Sequence, residues 1–169
     1  MKGDFKITLQ YLKDLGACRE GQREFQRVFP DGAEYQEVLD RCADEGRFDF
    51  GEWLLNKVGP TNDVRTYEED VNDPEKTIIF AGHLVFSAGV SVKRIKAGKG
   101  IKAGCGIKAG KGIKAGWGIE AGEGIKAGEG YGVFGGLSVK ISMWPESAII
   151  SAKEKPKNLI SGYWAEKEL

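Results

Sequence analysis

From Ile95 to Gly130 the chain repeats one six-residue unit, Ile-Lys-Ala-Gly-Lys-Gly with small variations, six times without a gap. Ile95, Ile101, Ile107, Ile113, Ile119 and Ile125 open the units, and Ala97, Ala103, Ala109, Ala115, Ala121 and Ala127 follow two residues later. Side chains of a strand alternate faces, so the Ile and Ala of each unit point one way and the intervening Lys or Glu the other. A helix is excluded, because a period of six places equivalent residues about 240° apart and builds no face. So short a unit cannot bury its Ile alone, and its glycines weaken any isolated strand. Stacking solves both problems. In a β-solenoid each Ile lies over another and each strand pairs with strands about 4.8 Å above and below, with Gly expected to supply positive-φ corners. Three units per coil predict a triangular prism of about eighteen residues per turn.

The flanks keep the pattern loosely. Ile79-Phe80-Ala81-Gly82 and Phe86-Ser87-Ala88-Gly89 precede the repeat, and Tyr131 to Gly136 and Leu137 to Lys140 follow it. Such drift is expected of degenerate capping coils, whose outer surface must not stack onward. Val139 to Met143 alternates as a strand, Pro145-Glu146 reads as a turn, and Ala148 to Ala152 returns to strand. The solenoid is therefore assigned to residues 77–152. Residues 153–169 form a charged tail whose Leu159, Ile160, Tyr163 and Trp164 are suited to covering its open end.

Residues 1–60 have a helical period instead. Leu9, Leu12 and Leu15 lead to Gly16; Phe25, Val28 and Phe29 lead to Pro30-Asp31-Gly32; Tyr35, Val38, Leu39 and Cys42 lead to Gly46. Asp49-Phe50-Gly51-Glu52 resembles a capping box opening a fourth helix that stops at Gly59-Pro60. Residues 61–76, with Glu68-Glu69-Asp70, read as an acidic linker. The predicted fold class is α+β: a small helical domain, a linker, then the solenoid.

Formal charge is zero overall but unevenly placed. Residues 1–75 hold 10 Lys/Arg against 18 Asp/Glu, and residues 90–130 hold 9 against 3, an acidic front before a basic solenoid. Cys18, Cys42 and Cys105 are odd in number and widely spaced, which suggests neither a disulfide framework nor a metal motif and suits a reducing cytoplasm. No run approaches the roughly 18 apolar residues of a membrane span, and the first residues lack an apolar signal core. A soluble cytoplasmic protein is expected.

No catalytic, metal or cofactor constellation stands out. Gly98-Lys99-Gly100-Ile101-Lys102-Ala103 matches a dinucleotide fingerprint only because it recurs in every unit, without the strand-to-helix context. His83 is the sole histidine, so no multi-histidine cluster forms within one chain. Cys105 occupies a variable fifth position and reads as incidental.

The stacking model gives the charges a register. Residues eighteen apart meet, so Lys102 faces Glu120 and Lys111 faces Glu129, whereas Lys96 faces Lys114 and Lys108 faces Lys126. Nothing internal to the predicted fold asks for these like-charged pairs. Lys96, Lys114 and Trp117 are expected together on one outward face, as a surface for an acidic or phosphate-rich partner, and the Lys108 and Lys126 ladder is read either as a solvated face or as a further anion-binding candidate. The competing site is Glu68, Glu69 and Asp70, which could mimic nucleic-acid phosphates.

The repeat, with its aliphatic residue every sixth position, resembles bactofilins and related polymer-forming β-helix proteins. Leu15-Gly16-Ala17-Cys18, Phe25 and Phe29-Pro30-Asp31-Gly32 resemble a short helical module of phage and prophage proteins. Left-handed hexapeptide acyltransferases resemble the chain in period, but that likeness implies a catalytic histidine in a loop between subunits, and here Lys or Glu follows the aliphatic residue. Neither of the first two resemblances implies catalytic residues. The function expected is therefore non-enzymatic binding: a phage- or mobile-element-encoded inhibitor, anti-CRISPR-like or otherwise anti-defence, that occludes a host protein or nucleoprotein complex. It needs no cofactor, metal, small-molecule substrate or membrane. The alternative is a self-associating scaffold or filament subunit.

Overall fold

Every Ile-x-Ala triplet of the repeat is a strand, and each stacks on its equivalent eighteen residues away. In the computed structural model, which describes residues 5–167, the front carries β1 (Lys6–Ile7), α1 (Leu9–Asp14), α2 (Arg19–Val28), β2 (Ala33–Glu34), α3 (Tyr35–Asp44) and α4 (Phe48–Val58). The first coil of a parallel β-solenoid then contributes β3 (Val64–Tyr67) and β4 (Val71–Phe80), and the second β5 (His83–Phe86) and β6 (Val90–Ala97). The third comprises β7 (Ile101–Ala103), β8 (Ile107–Ala109) and β9 (Ile113–Ala115), and the fourth β10 (Ile119–Ala121), β11 (Ile125–Ala127) and β12 (Val133–Phe134). After an excursion containing the short helix α5 (Trp144–Ser147), the chain re-enters as β13 (Ile149–Ser151) and β14 (Leu159–Ser161), and β15 (Tyr163–Trp164) opens a last partial coil.

Three faces result. The first runs β3, β5, β7, β10, β13, β15. The second stacks the start of β4, the start of β6, β8 and β11, and the third the ends of β4 and β6, then β9, β12 and β14. Ile101 pairs with Ile119, Ile107 with Ile125 and Ile95 with Ile113, the predicted register. These side chains are almost wholly buried, and with the repeat alanines they form one continuous core. At one end Tyr67 stacks on Phe86, ring centroids 5.0 Å apart, and at the other Trp164 packs on the core.

Glycine does a different job from the one predicted. Of the glycines in the repeat only Gly112 and Gly130 have positive φ. At the fourth position of the unit the reason is contact: a Cβ on Gly116, Gly122 or Gly128 would collide with the backbone carbonyl of Gly98, Gly104 or Gly110 in the coil below. The coils approach too closely there for any side chain.

The segment expected as a linker, residues 61–76, is instead built into the solenoid. Val64–Tyr67 pairs in parallel with His83–Phe86, and Val71 to Asp73 with Val90 to Val92. Its exposed acidic residues hide an alternation that the sheet uses. The tail likewise supplies strands, β14 beside β12 and β15 beside β13. Val139 to Met143, expected as a strand, has no sheet to join. It turns at Gly136 (φ 70°) and enters a 3-10 turn over Ile141–Met143, after which Pro145, in the first turn of α5, favours helix.

The front helices lie close to their predicted positions. Thr8 Oγ1 accepts from the Tyr11 N–H at 3.1 Å to cap α1, Cys18 Sγ accepts from the Gly21 N–H at 3.4 Å to cap α2, and Gly16, Gly46 and Gly59 take positive φ after helix ends. The expected capping box at Asp49 and Glu52 does not form. Helix α4 begins two residues earlier, with Arg47 instead of Asp49 at the cap position and no side-chain cap bond.

Front and solenoid have separate cores that meet along β4. Strand alternation sends Ile78 and Phe80 inward, while Ile79 and Ala81 join the buried cluster of the helices. The Gln36 amide completes the seam, donating to the Ile79 carbonyl at 2.8 Å and accepting from the Ala81 N–H at 3.0 Å. Arg65 closes the other side with two 3.0 Å bonds to Asp40.

Candidate functional site

On the third face the outward ladder reads Ile79, Lys96, Lys114, Phe134. Because α4 lies over this face, the ladder does not meet solvent as predicted. Lys96 is only 5% exposed. Glu52, left free by the missing capping box, brings Oε2 to 2.9 Å from Lys114 Nζ and 3.7 Å from Lys96 Nζ. Phe48 adds its ring face, 4.7 Å from the Arg94 guanidinium and 5.8 Å from Lys114 Nζ. Burial pulls the Lys96 ammonium below its ordinary pKa, Glu52 partly restores it, and Lys114 lowers it again. The like-charged pair is thus an internal feature, asked for by a carboxylate from the front.

On the second face the ladder runs Asn72, Ser91, Lys108, Lys126, in register. Both lysines are exposed. Among the described residues no carboxylate lies within ion-pair distance of either. They border a shallow groove of about 380 Å³ that Asn72, Ser91 and Asp70 also line.

Trp117 sits at the corner between the third and first faces, away from the Lys96 and Lys114 head groups, which turn toward Glu52. It is 37% exposed. His83 meets it edge-on with ring centroids 5.5 Å apart, and Lys99 Nζ, also bonded to Asn62, lies 4.8 Å from its ring centroid. His83 Nδ1 accepts from the Gly100 N–H at 3.2 Å, and burial followed by the Lys99 charge lowers its pKa. A neutral, acceptor imidazole holding one coil to the next is what these contacts define.

The acidic candidates are divided. Glu68 accepts from Ser87 Oγ at 3.0 Å and Asp70 from the Gly89 N–H at 2.8 Å, so both fasten the first coil to the second, while Glu69 extends to solvent. Lys102 and Glu120 share the predicted register, and Glu120 also meets Lys167 at 3.5 Å. The three cysteines are free thiols, and burial pushes Cys42 up to about 11. Among the described residues no group of three or more His, Cys, Asp and Glu is placed to hold a metal, and no helix is long and apolar enough to cross a membrane.

Sequence reasoning missed Glu52, whose spacing from Asp49 suggested a cap. It also missed an apolar cleft in the front, which no single helix pattern discloses.

Residues 1–59 match the family model described as the YdhT N-terminal domain, so the front is similar to that domain over about a third of the chain. No curated protein and no solved structure matches the chain. The whole chain is a helical front docked on a parallel β-solenoid.

Proposed function

We propose that the protein is a non-enzymatic binding protein that meets an acidic partner through the Lys108 and Lys126 face. The observation that carries this is the contrast between two lysine ladders in one solenoid. Stacked like charges cost stability. At Lys96 and Lys114 the fold offsets that cost with Glu52, whereas at Lys108 and Lys126 it leaves the charges in water, stacked in register on a rigid strand ladder. Such a row steers an acidic or phosphate-bearing surface toward the groove and holds it in one orientation.

In its finer form the chain is an inhibitor of a host macromolecular complex, encoded by a phage or mobile element and acting by occlusion as anti-CRISPR or other anti-defence proteins do. The binding mode supports this, since a rigid basic face can cover an acidic surface without chemistry. Free thiols fit action in the cytoplasm. The scaffold alternative, stacking of open ends, is less favoured because Tyr67 and Trp164 close the two ends of the core.

The test is capture from host extract at two salt concentrations with the wild-type chain and with Lys108→Glu/Lys126→Glu. A partner retained by the wild type, released by salt and lost from the variant supports the reading. A partner held equally by both overturns it.

A further inference from the structure

Two apolar features of this chain lie open to solvent and complement each other. The first is the cleft among the helices of the front, about 300 Å³, walled by Phe25, Phe29, Phe50 and Trp53. The second is the excursion between β12 and β13, where Leu137, Ile141 and Met143 are 46%, 74% and 47% exposed. Single exposed apolar residues are ordinary, but three within seven positions form a patch. This patch is held out by its own scaffold. Trp144 Nε1 donates to the Val139 carbonyl at 3.1 Å, and the indole packs so tightly on Gly136 that no Cβ fits there.

We propose that Ile141 and Met143 of one copy insert into the front cleft of a second copy. Size agrees: at the ~30 Å³ a water occupies in the liquid, the cleft holds the volume of roughly ten waters, comparable to two large aliphatic side chains. Charge agrees as well. Lys140, next to Ile141, is exposed, and exposed Asp49 lines the cleft; among the described residues neither has an ion-pair partner. Seating Ile141 brings a free cation to a free anion. Knob and cleft are different surfaces of one chain, so each copy carries a donor and an acceptor site. With only two or three side chains buried, the contact is weak and driven by concentration. It is independent of the Lys108 and Lys126 face.

Sedimentation velocity of the full chain over a rising concentration series tests this. The wild type should shift to larger species, and Ile141→Asp/Met143→Asp, at positions already in water, should stay monomeric with unchanged thermal stability. Lys140→Glu and Asp49→Lys should each weaken association several-fold, and the two together should restore it. A wild type that stays monomeric throughout, an apolar-to-Asp variant that associates as before, or a charge swap without restoration overturns the proposal. The first of these would leave the cleft to a ligand of another kind.

Discussion

Glu52 Oε2 lies 2.9 Å from Lys114 Nζ, joining a residue of α4 to a strand sixty-two positions later in the chain. The same oxygen reaches Lys96 at 3.7 Å, so one carboxylate bridges both steps of a like-charged ladder, offsets part of their repulsion and pins the front to the third face. Removing it leaves a buried ammonium beside another cation. Glu52→Gln should destabilise the protein by about 2–3 kcal/mol, somewhat below the ~3–5 kcal/mol seen when a fully buried pair loses one partner. Chemical denaturation measures this, and a variant as stable as wild type would show that Ile79, Gln36 and the Arg65–Asp40 pair hold the front without Glu52.

Two depressed pKa values make stability depend on pH in separate windows. His83 binds its proton less tightly folded than unfolded, so the unfolded state takes up more protons below the ordinary value of 6.5. Its contribution to stability is fully present above 6.5 and is lost as pH falls through the folded value. Because it is the only histidine, its imidazole resonance can be followed without ambiguity, and it should titrate below 6.5. A midpoint at or above 6.5 contradicts the half-buried acceptor role of Nδ1. For Lys96 the same sign acts at alkaline pH. Its depression costs stability at neutrality, a cost relieved as pH rises toward the ordinary 10.5, and Lys96→Met should remove that slope.

The two glycines of one repeat unit should respond oppositely to the same change. An alanine methyl at Gly122 would strike the Gly104 carbonyl, which cannot move without separating the coils, so Gly122→Ala should cost about 1–3 kcal/mol or more. Gly124 has open space around its Cβ position and no positive φ, so Gly124→Ala should be neutral or stabilising by up to about 1 kcal/mol. Thermal melts of the pair decide it. Equal losses would mean that glycine serves both positions through conformation, as the repeat alone suggests.

The solenoid was legible because a strict period of six leaves one way to bury Ile and Ala, and the pairing of Ile101 with Ile119 follows from it. The lysine ladders were legible for the same reason. What the period could not disclose is which ladder another element covers. That depends on Ile79, an apolar residue turned outward from its strand into the helical core. Val64 to Tyr67 escaped notice because its pairing partner, His83 to Phe86, is itself outside the strict repeat, and acidic residues 68–70 give the segment the composition of a loop. Trp117 was singled out for its position, but its partners His83 and Lys99 come from the coil below, in a part of the turn where the repeat carries no apolar signal.

The central claim is that the solenoid keeps one lysine ladder for its own fold and offers the other to a partner. Charge reversal of both, measured side by side for melting temperature and for affinity to a partner captured from host extract, tests it most directly. Lys108→Glu/Lys126→Glu should lose affinity while melting as the wild type does. Lys96→Glu/Lys114→Glu, which sets two new carboxylates against Glu52, should melt several degrees lower. If the second pair melts unchanged, or if the first keeps full affinity, the account is contradicted.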